Sequence, residues 1–69
     1  MVMAILKVIE ILAESPTSWE DAANQAVKEA GETVRGIRSI YVENFQATVQ
    51  DGKIDSFRIN AKVSFAVEK

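Results

Sequence analysis

The chain has no cysteine and no histidine. A disulfide framework is therefore excluded, and so is a zinc site of the usual His/Cys kind. Nucleophile–base pairs built on either residue go with them. One proline and three glycines leave no linker, low-complexity segment or glycine-rich phosphate loop. Positive charge is also scarce. Eight Lys and Arg against ten Asp and Glu give a net charge of −2, which offers nucleic acid no electrostatic footprint. The apolar start "MVMAILKVIEIL" is broken by Lys7 and Glu10. It is too short to span a membrane and lacks the basic region and small-residue cleavage site of a signal peptide. The expectation is a soluble, cytoplasmic protein with neither a membrane nor a nucleic-acid partner.

What remains is a small apolar unit. The 69 residues read as one domain, 1–69, and 48% of them are hydrophobic. A chain of this size buries only about 60% of the surface its unfolded form exposes. Without disulfides or zinc, association with further copies is the remaining route to stability.

"SFRINAKVSF" alternates throughout. Phe57, Ile59, Ala61, Val63 and Phe65 fall on one face of a strand, with Ser56, Arg58, Asn60, Lys62 and Ser64 on the other. The pattern predicts a third strand over about 53–67, paired antiparallel with a second strand over 37–50. Asp51-Gly52 between them is a strong hairpin signal. By parity, Ile37, Tyr41, Phe45 and Val49 of the second strand share one side, and Ile40, Val42, Asn44, Gln46 and Thr48 share the other. A first strand over about 4–13 is apolar on both faces, which points to a partner subunit. It is expected beside the third.

"ESPTSWED" opens a helix. Thr17 and Ser18 are both N-cap residues with an acid three positions on, Glu20 and Asp21. Trp19, Ala22, Ala23, Ala26, Val27, Ala30 and Val34 form one apolar stripe on a helix of about 17 residues. Gly31 weakens that helix, and Gly36 is its expected stop. The order is β-α-β-β and the class α+β, with a three-stranded antiparallel sheet wrapped around one helix. Scattered acids and absent His and Cys point away from an enzyme.

The helix entry "SPTSWEDAANQAV", the exit "TVRGI" and the closing "DGKIDSFRINAKVSF" together resemble the dodecins, over nearly the whole chain from about Leu6 to Phe65. The resemblance implies a non-enzymatic protein whose twelve copies close into a hollow homododecamer. It also implies a flavin (FMN or riboflavin), stacked in pairs at two-fold related sites, and a storage or sequestering role.

Two of the family's flavin contacts are replaced here. Ser39 stands at the place of the Trp that stacks on the flavin ring, and Arg58 at the place of the Gln that hydrogen-bonds its edge. A stacked aromatic contact is worth about 1–3 kcal/mol by analogy with nucleobase stacking. Arg58 has donors only and cannot copy an amide. Flavin binding is therefore expected to be weakened or lost. Ser39, Tyr41 and Arg58 are the ligand-binding candidates, Tyr41 as a ring in partial replacement of the Trp, with core or interface packing its alternative. Trp19 is expected to anchor the core or a subunit contact instead. Arg58 and Lys62 have two readings: an anion contact, or salt bridges to Glu43, Glu10 or a partner chain. The alternative function is a structural dodecamer that holds a divalent cation such as calcium. Glu10, Glu43 and Asn44 are the candidate ligands, within a wider oxygen-rich set that includes Glu14, Glu20 and Asp21. A solvated acidic surface is the competing reading of those residues.

Overall fold

The computed structural model describes residues 5–67. Strand β1 (Leu6–Ser15) leads into helix α1 (Trp19–Ala30), then β2 (Ile37–Gln50) and β3 (Lys53–Ala66). The sheet order is β1-β3-β2 with both pairings antiparallel, so β3 is central. The β-α-β-β order and the neighbouring of β1 with β3 are as the sequence predicts. Strand β1 ends at Ser15 rather than near Ala13, and Ala4, the expected start, lies outside the described residues.

The helix begins where the capping residues dictate. Ser18 is extended at the N-cap, and its Oγ accepts from the Asp21 backbone N–H at 2.9 Å. The other cap candidate, Thr17, is bent into the approach: its N–H donates to Ser15 Oγ at 2.9 Å. Ser15 is buried, and its hydroxyl donates to Asp21 Oδ2 at 2.6 Å. One hydroxyl thus ties the end of β1 to the first turn of α1.

The helix is 12 residues long, shorter than the apolar stripe suggests. Gly31 is its C-cap, and beyond it the bonds tighten to the i−3 pattern: Glu32 N–H to Glu29 O and Thr33 N–H to Ala30 O, both 3.1 Å. That tightening is how helix ends satisfy their last carbonyls. Gly36 does not stop the helix. It takes φ +74°, and its carbonyl accepts from Ala66 N–H at 3.0 Å, so it turns the chain into β2 against the end of β3.

Three irregularities in the β2–β3 register overturn the simple parity reading of β2. They fall between Ile37 and Ser39, between Val42 and Asn44, and between Thr48 and Val49. An extra residue in one strand flips the face of everything beyond it. Ile40 pairs with Val63 and Val42 with Ala61, so both face the helix; past Glu43, Phe45 pairs with Ile59 and also faces the helix side. Tyr41 pairs with Lys62 and faces away. Tyr41 and Phe45 are thus on opposite faces despite their even spacing. The turn itself is as predicted, with Asp51 at φ 54° and Gly52 at φ 73°, the positive angles a two-residue hairpin turn needs.

The core lies between the small-residue stripe of α1 and the alternating face of β3. Ala22, Ala26 and Ala30 of α1 and Ile59, Ala61 and Val63 of β3 are buried; Ala22, Ile59 and Ala61 form one cluster, with Ile11, Ala13, Trp19, Ile40 and Val42 packed around it. Alanine brings the helix close to the sheet but contributes little apolar area. Full burial of a side chain such as Ile59 or Val63 is worth about 1.5–3 kcal/mol. Much apolar surface stays uncovered. On the outer face of β1, Leu6, Val8 and Leu12 are 50–59% exposed, and Phe45, Val49 and Ile54 are exposed where the β2–β3 hairpin runs past the helix start. No helix among the described residues is long and apolar enough to cross a membrane.

Candidate ligand-binding face

The polar side of β3 is the centre of the sheet face turned away from α1. Because β3 is flanked on both sides, Arg58, Asn60, Lys62 and Ser64 each meet a residue of β1 and one of β2. Opposite Arg58 stand Glu14 and Gln46; opposite Lys62 stand Glu10 and Tyr41. Asn60 lies between Leu12 and Asn44.

Their charges are satisfied within the chain. Arg58 Nε donates to Glu14 Oε1 at 2.6 Å, and Lys62 Nζ lies 3.4 Å from Glu43 Oε2. The salt-bridge reading of the two cations therefore holds, with Glu14 rather than Glu10 or Glu43 as the partner of Arg58. The hydrogen bond from Arg58 holds the Glu14 carboxyl below the usual carboxylate range. Partial desolvation opposes this, while the guanidinium charge and Ser56 reinforce it. The remaining polar groups pair across strands: Ser39 Oγ with Ser64 Oγ at 2.6 Å, Thr48 Oγ1 with Ser56 Oγ at 2.7 Å, and Gln46 Nε2 to Asn60 Oδ1 at 3.3 Å. Among the described residues no buried side-chain nitrogen or oxygen lacks a partner.

The three ligand-binding candidates share this face, with Ser39 and Tyr41 neighbours along β2 and Arg58 apart from both. Ser39 lies opposite Ser64, Tyr41 opposite Lys62, and Arg58 further along β3. Six residues separate Ser64 from Arg58, or roughly 20 Å of strand. One protomer does not gather Ser39 and Arg58 into a single pocket. A groove of about 410 Å³ between the edge of β1 and α1 is lined by Leu12, Glu14, Pro16, Gln25 and Glu29 among others, and contains neither Ser39 nor Tyr41 nor Arg58.

The cation candidates are brought nearer to one another. Glu43 bonds Lys62, Glu10 is opposite the same lysine, and Asn44 pairs with Asn60 next along. Among the described residues no group of three or more Asp, Glu, His or Cys side chains is placed to hold a metal ion. Carboxylates of one copy alone therefore fall short of the six to eight oxygens calcium takes.

Trp19 is on the helix side, away from this face. Its ring packs edge-on against Phe57 and Phe45, at centroid distances of 4.9 and 5.8 Å, and its Nε1–H donates to the Gln46 carbonyl at 2.8 Å. It anchors the hairpin to the helix, as expected. Sequence reasoning missed Ser15. A short polar residue just before a proline and an N-cap was the available signal.

Comparison with known proteins fits this architecture. A family model described as Dodecin matches residues 5–68. The calcium dodecin of Mycobacterium tuberculosis is 45% identical over 64 residues, covering 91% of this chain and 89% of that protein. A crystal structure of calcium dodecin from the same organism, described as a calcium-chelating immunodominant antigen with a novel calcium-binding site, superposes with a TM-score of 0.80 at 43% identity, covering 93% of this chain and 91% of that one. Dodecin from Streptomyces coelicolor superposes with a TM-score of 0.93 at 25% identity, over 100% of this chain and 99% of its own.

Proposed function

The chain belongs to the dodecin family, and from that premise we propose that it is a non-enzymatic, self-assembling protein that binds a small ligand, calcium in preference to flavin. The observation that carries the reading is the state of the outer face. Both positions that would meet a flavin are engaged otherwise: Ser39 with Ser64, Arg58 with Glu14. Neither offers an aromatic ring or an amide. Tyr41 is the aromatic ring on that face, and Trp19 is held on the other side. The calcium named for the relative at 45% identity supports the cation.

Assembly is part of the proposal. The exposed Leu6, Val8 and Leu12 make a patch unusual for a chain that works alone. The separation of Ser39 from Arg58 and the shortage of carboxylates in one copy both fit a site completed between copies. The particle is a homododecamer in this reading, with Glu10, Glu43 and Asn44 the candidate calcium ligands. Its cytoplasmic location belongs to the same proposal.

Native mass measurement with an absorption spectrum tests it: a colourless particle twelve times the chain mass is expected. Calcium should raise its melting temperature and a chelator lower it. A stable lone protomer would overturn the assembly, and a melting temperature indifferent to both additions would overturn the cation. A second reading, weak flavin storage, rests on Tyr41 lying exposed on the outer face. It predicts that riboflavin fluorescence is quenched at micromolar concentration.

A further inference from the structure

The β2–β3 hairpin outruns the rest of the chain. The pairing of β1 with β3 ends at Ser15 opposite Phe57, so residues 48–56 form a two-stranded arm. The molecule is 54 Å long, with a radius of gyration of 14.3 Å. A compact chain of this length has a radius of about 11 Å. One side of the arm and its root is apolar. Phe45, Ala47 and Val49 follow one another on the helix side of β2, with Phe57 opposite Ala47 and Ile54 opposite Val49. Asp55 is passed over in the pairing, and that bulge brings Ile54 onto the side of Phe57. Phe45, Val49 and Ile54 are 57–68% exposed. A two-stranded hairpin is marginal in water unless a further strand or a helix covers its apolar side.

We propose that this strip is a self-complementary interface, the arm of one copy lying face to face on the arm of a second across a two-fold axis. The proposal rests on the self-assembly proposed above and adds the surface that carries it. A two-fold contact sets a patch against itself, so any charge in the patch meets its own sign. The strip of Phe45, Ala47, Val49, Ile54 and Phe57 carries none. The other exposed apolar face, Leu6, Val8 and Leu12 of β1, has Glu10 and Glu14 among its residues and would oppose acid to acid. Stacked sheets lie about 10 Å apart, a gap that the large side chains of two strips fill.

Val49 carries the test, because it is 68% exposed in one copy and central to the contact between two. Val49→Glu and Val49→Lys are made in the full chain and refolded from urea, each alone and mixed in equal amounts, at low salt so that charges are little screened. Native mass and circular dichroism are read for each. Either variant alone should give particles smaller than wild type. The mixture should regain the wild-type mass, because glutamate then faces lysine across the axis. A variant that does not fold alone still reports through the mixture. Wild-type mass for the separate variants overturns the arm contact while the assembly stands. Failure of the mixture to regain that mass, once both separate variants have lost it, overturns the pairing of arm with arm. A folded lone wild-type protomer overturns the assembly and this contact together.

Discussion

Replacing Ser15 by alanine tests how β1 is joined to α1. The Ser15 hydroxyl is buried and central to a small network: it accepts from Thr17 N–H at 2.9 Å and donates to Asp21 Oδ2 at 2.6 Å. The second bond involves a carboxylate, the class worth about 1.5–3 kcal/mol. The first leaves a backbone donor that finds water only in part. Asp21 is half-buried and recovers some hydration, which discounts the sum. A net loss of about 2 kcal/mol is expected. For a chain of this size 1 kcal/mol moves the melting temperature by about 4–8 °C, so the expected fall is roughly 8–16 °C. Thermal and urea unfolding should be followed by circular dichroism at one fixed protein concentration, because the proposed assembly would make the midpoint concentration-dependent. Asp21→Ala and the Ser15→Ala/Asp21→Ala double variant complete a cycle. The two losses should be less than additive, since each single change already breaks the shared bond. A Ser15→Ala loss under about 0.5 kcal/mol, or strict additivity, would refute the argument that this hydroxyl fixes the helix start.

Other perturbations follow from the same contacts. Ser18→Ala should cost about 1 kcal/mol through loss of the cap to Asp21 N–H, read from the urea midpoint. Gly36→Ala should cost about 1–2 kcal/mol by the same measurement: the backbone is at φ +74°, and space is not the problem, since the nearest atom to an added Cβ is the Ala66 carbonyl oxygen at 3.5 Å. The Arg58–Glu14 pair should stabilise only while Glu14 is ionised. Because its carboxyl lies below the usual range when folded, the contribution is present at neutral pH and lost as pH falls through the lowered value. The urea midpoints of wild type and Arg58→Gln should therefore converge below the ordinary carboxylate range, and a constant gap would argue against the pair. Ser39→Trp with Arg58→Gln should restore riboflavin quenching; failure would mean that the proposed pocket differs at more than these two positions.

Much of the fold was legible in the residues because short-range periodicity records which face is buried. Strict alternation from Ser56 to Phe65 identified β3 and its inner face, and every inner residue from Ile59 to Val63 is buried. Asp51-Gly52 marked the turn, since few residues adopt positive φ there. The misreading of β2 has one cause. Parity carries no mark of an inserted residue, so Tyr41 and Phe45 looked alike until the bulge at Glu43 separated them. The helix ends short of the stripe because Val34 alone prolongs the apolar spacing past Gly31, while the return to the sheet demands a stop. At the site, the opposed charges of β3 and its neighbours were visible, but not which acid meets which cation. That choice depends on register and on side-chain reach.

By itself the sequence determined the elements, their order and the side of β3 that must be dry, because these follow from spacing along one chain. It also determined what chemistry is missing. Tertiary structure alone decided which acid meets which cation, so that Arg58 closes on Glu14 and Lys62 on Glu43. The reason is physical: a hydrogen bond or ion pair forms only within a few ångströms, and residues 14 and 58, or 43 and 62, reach that distance only once pairing and bulges have set the register.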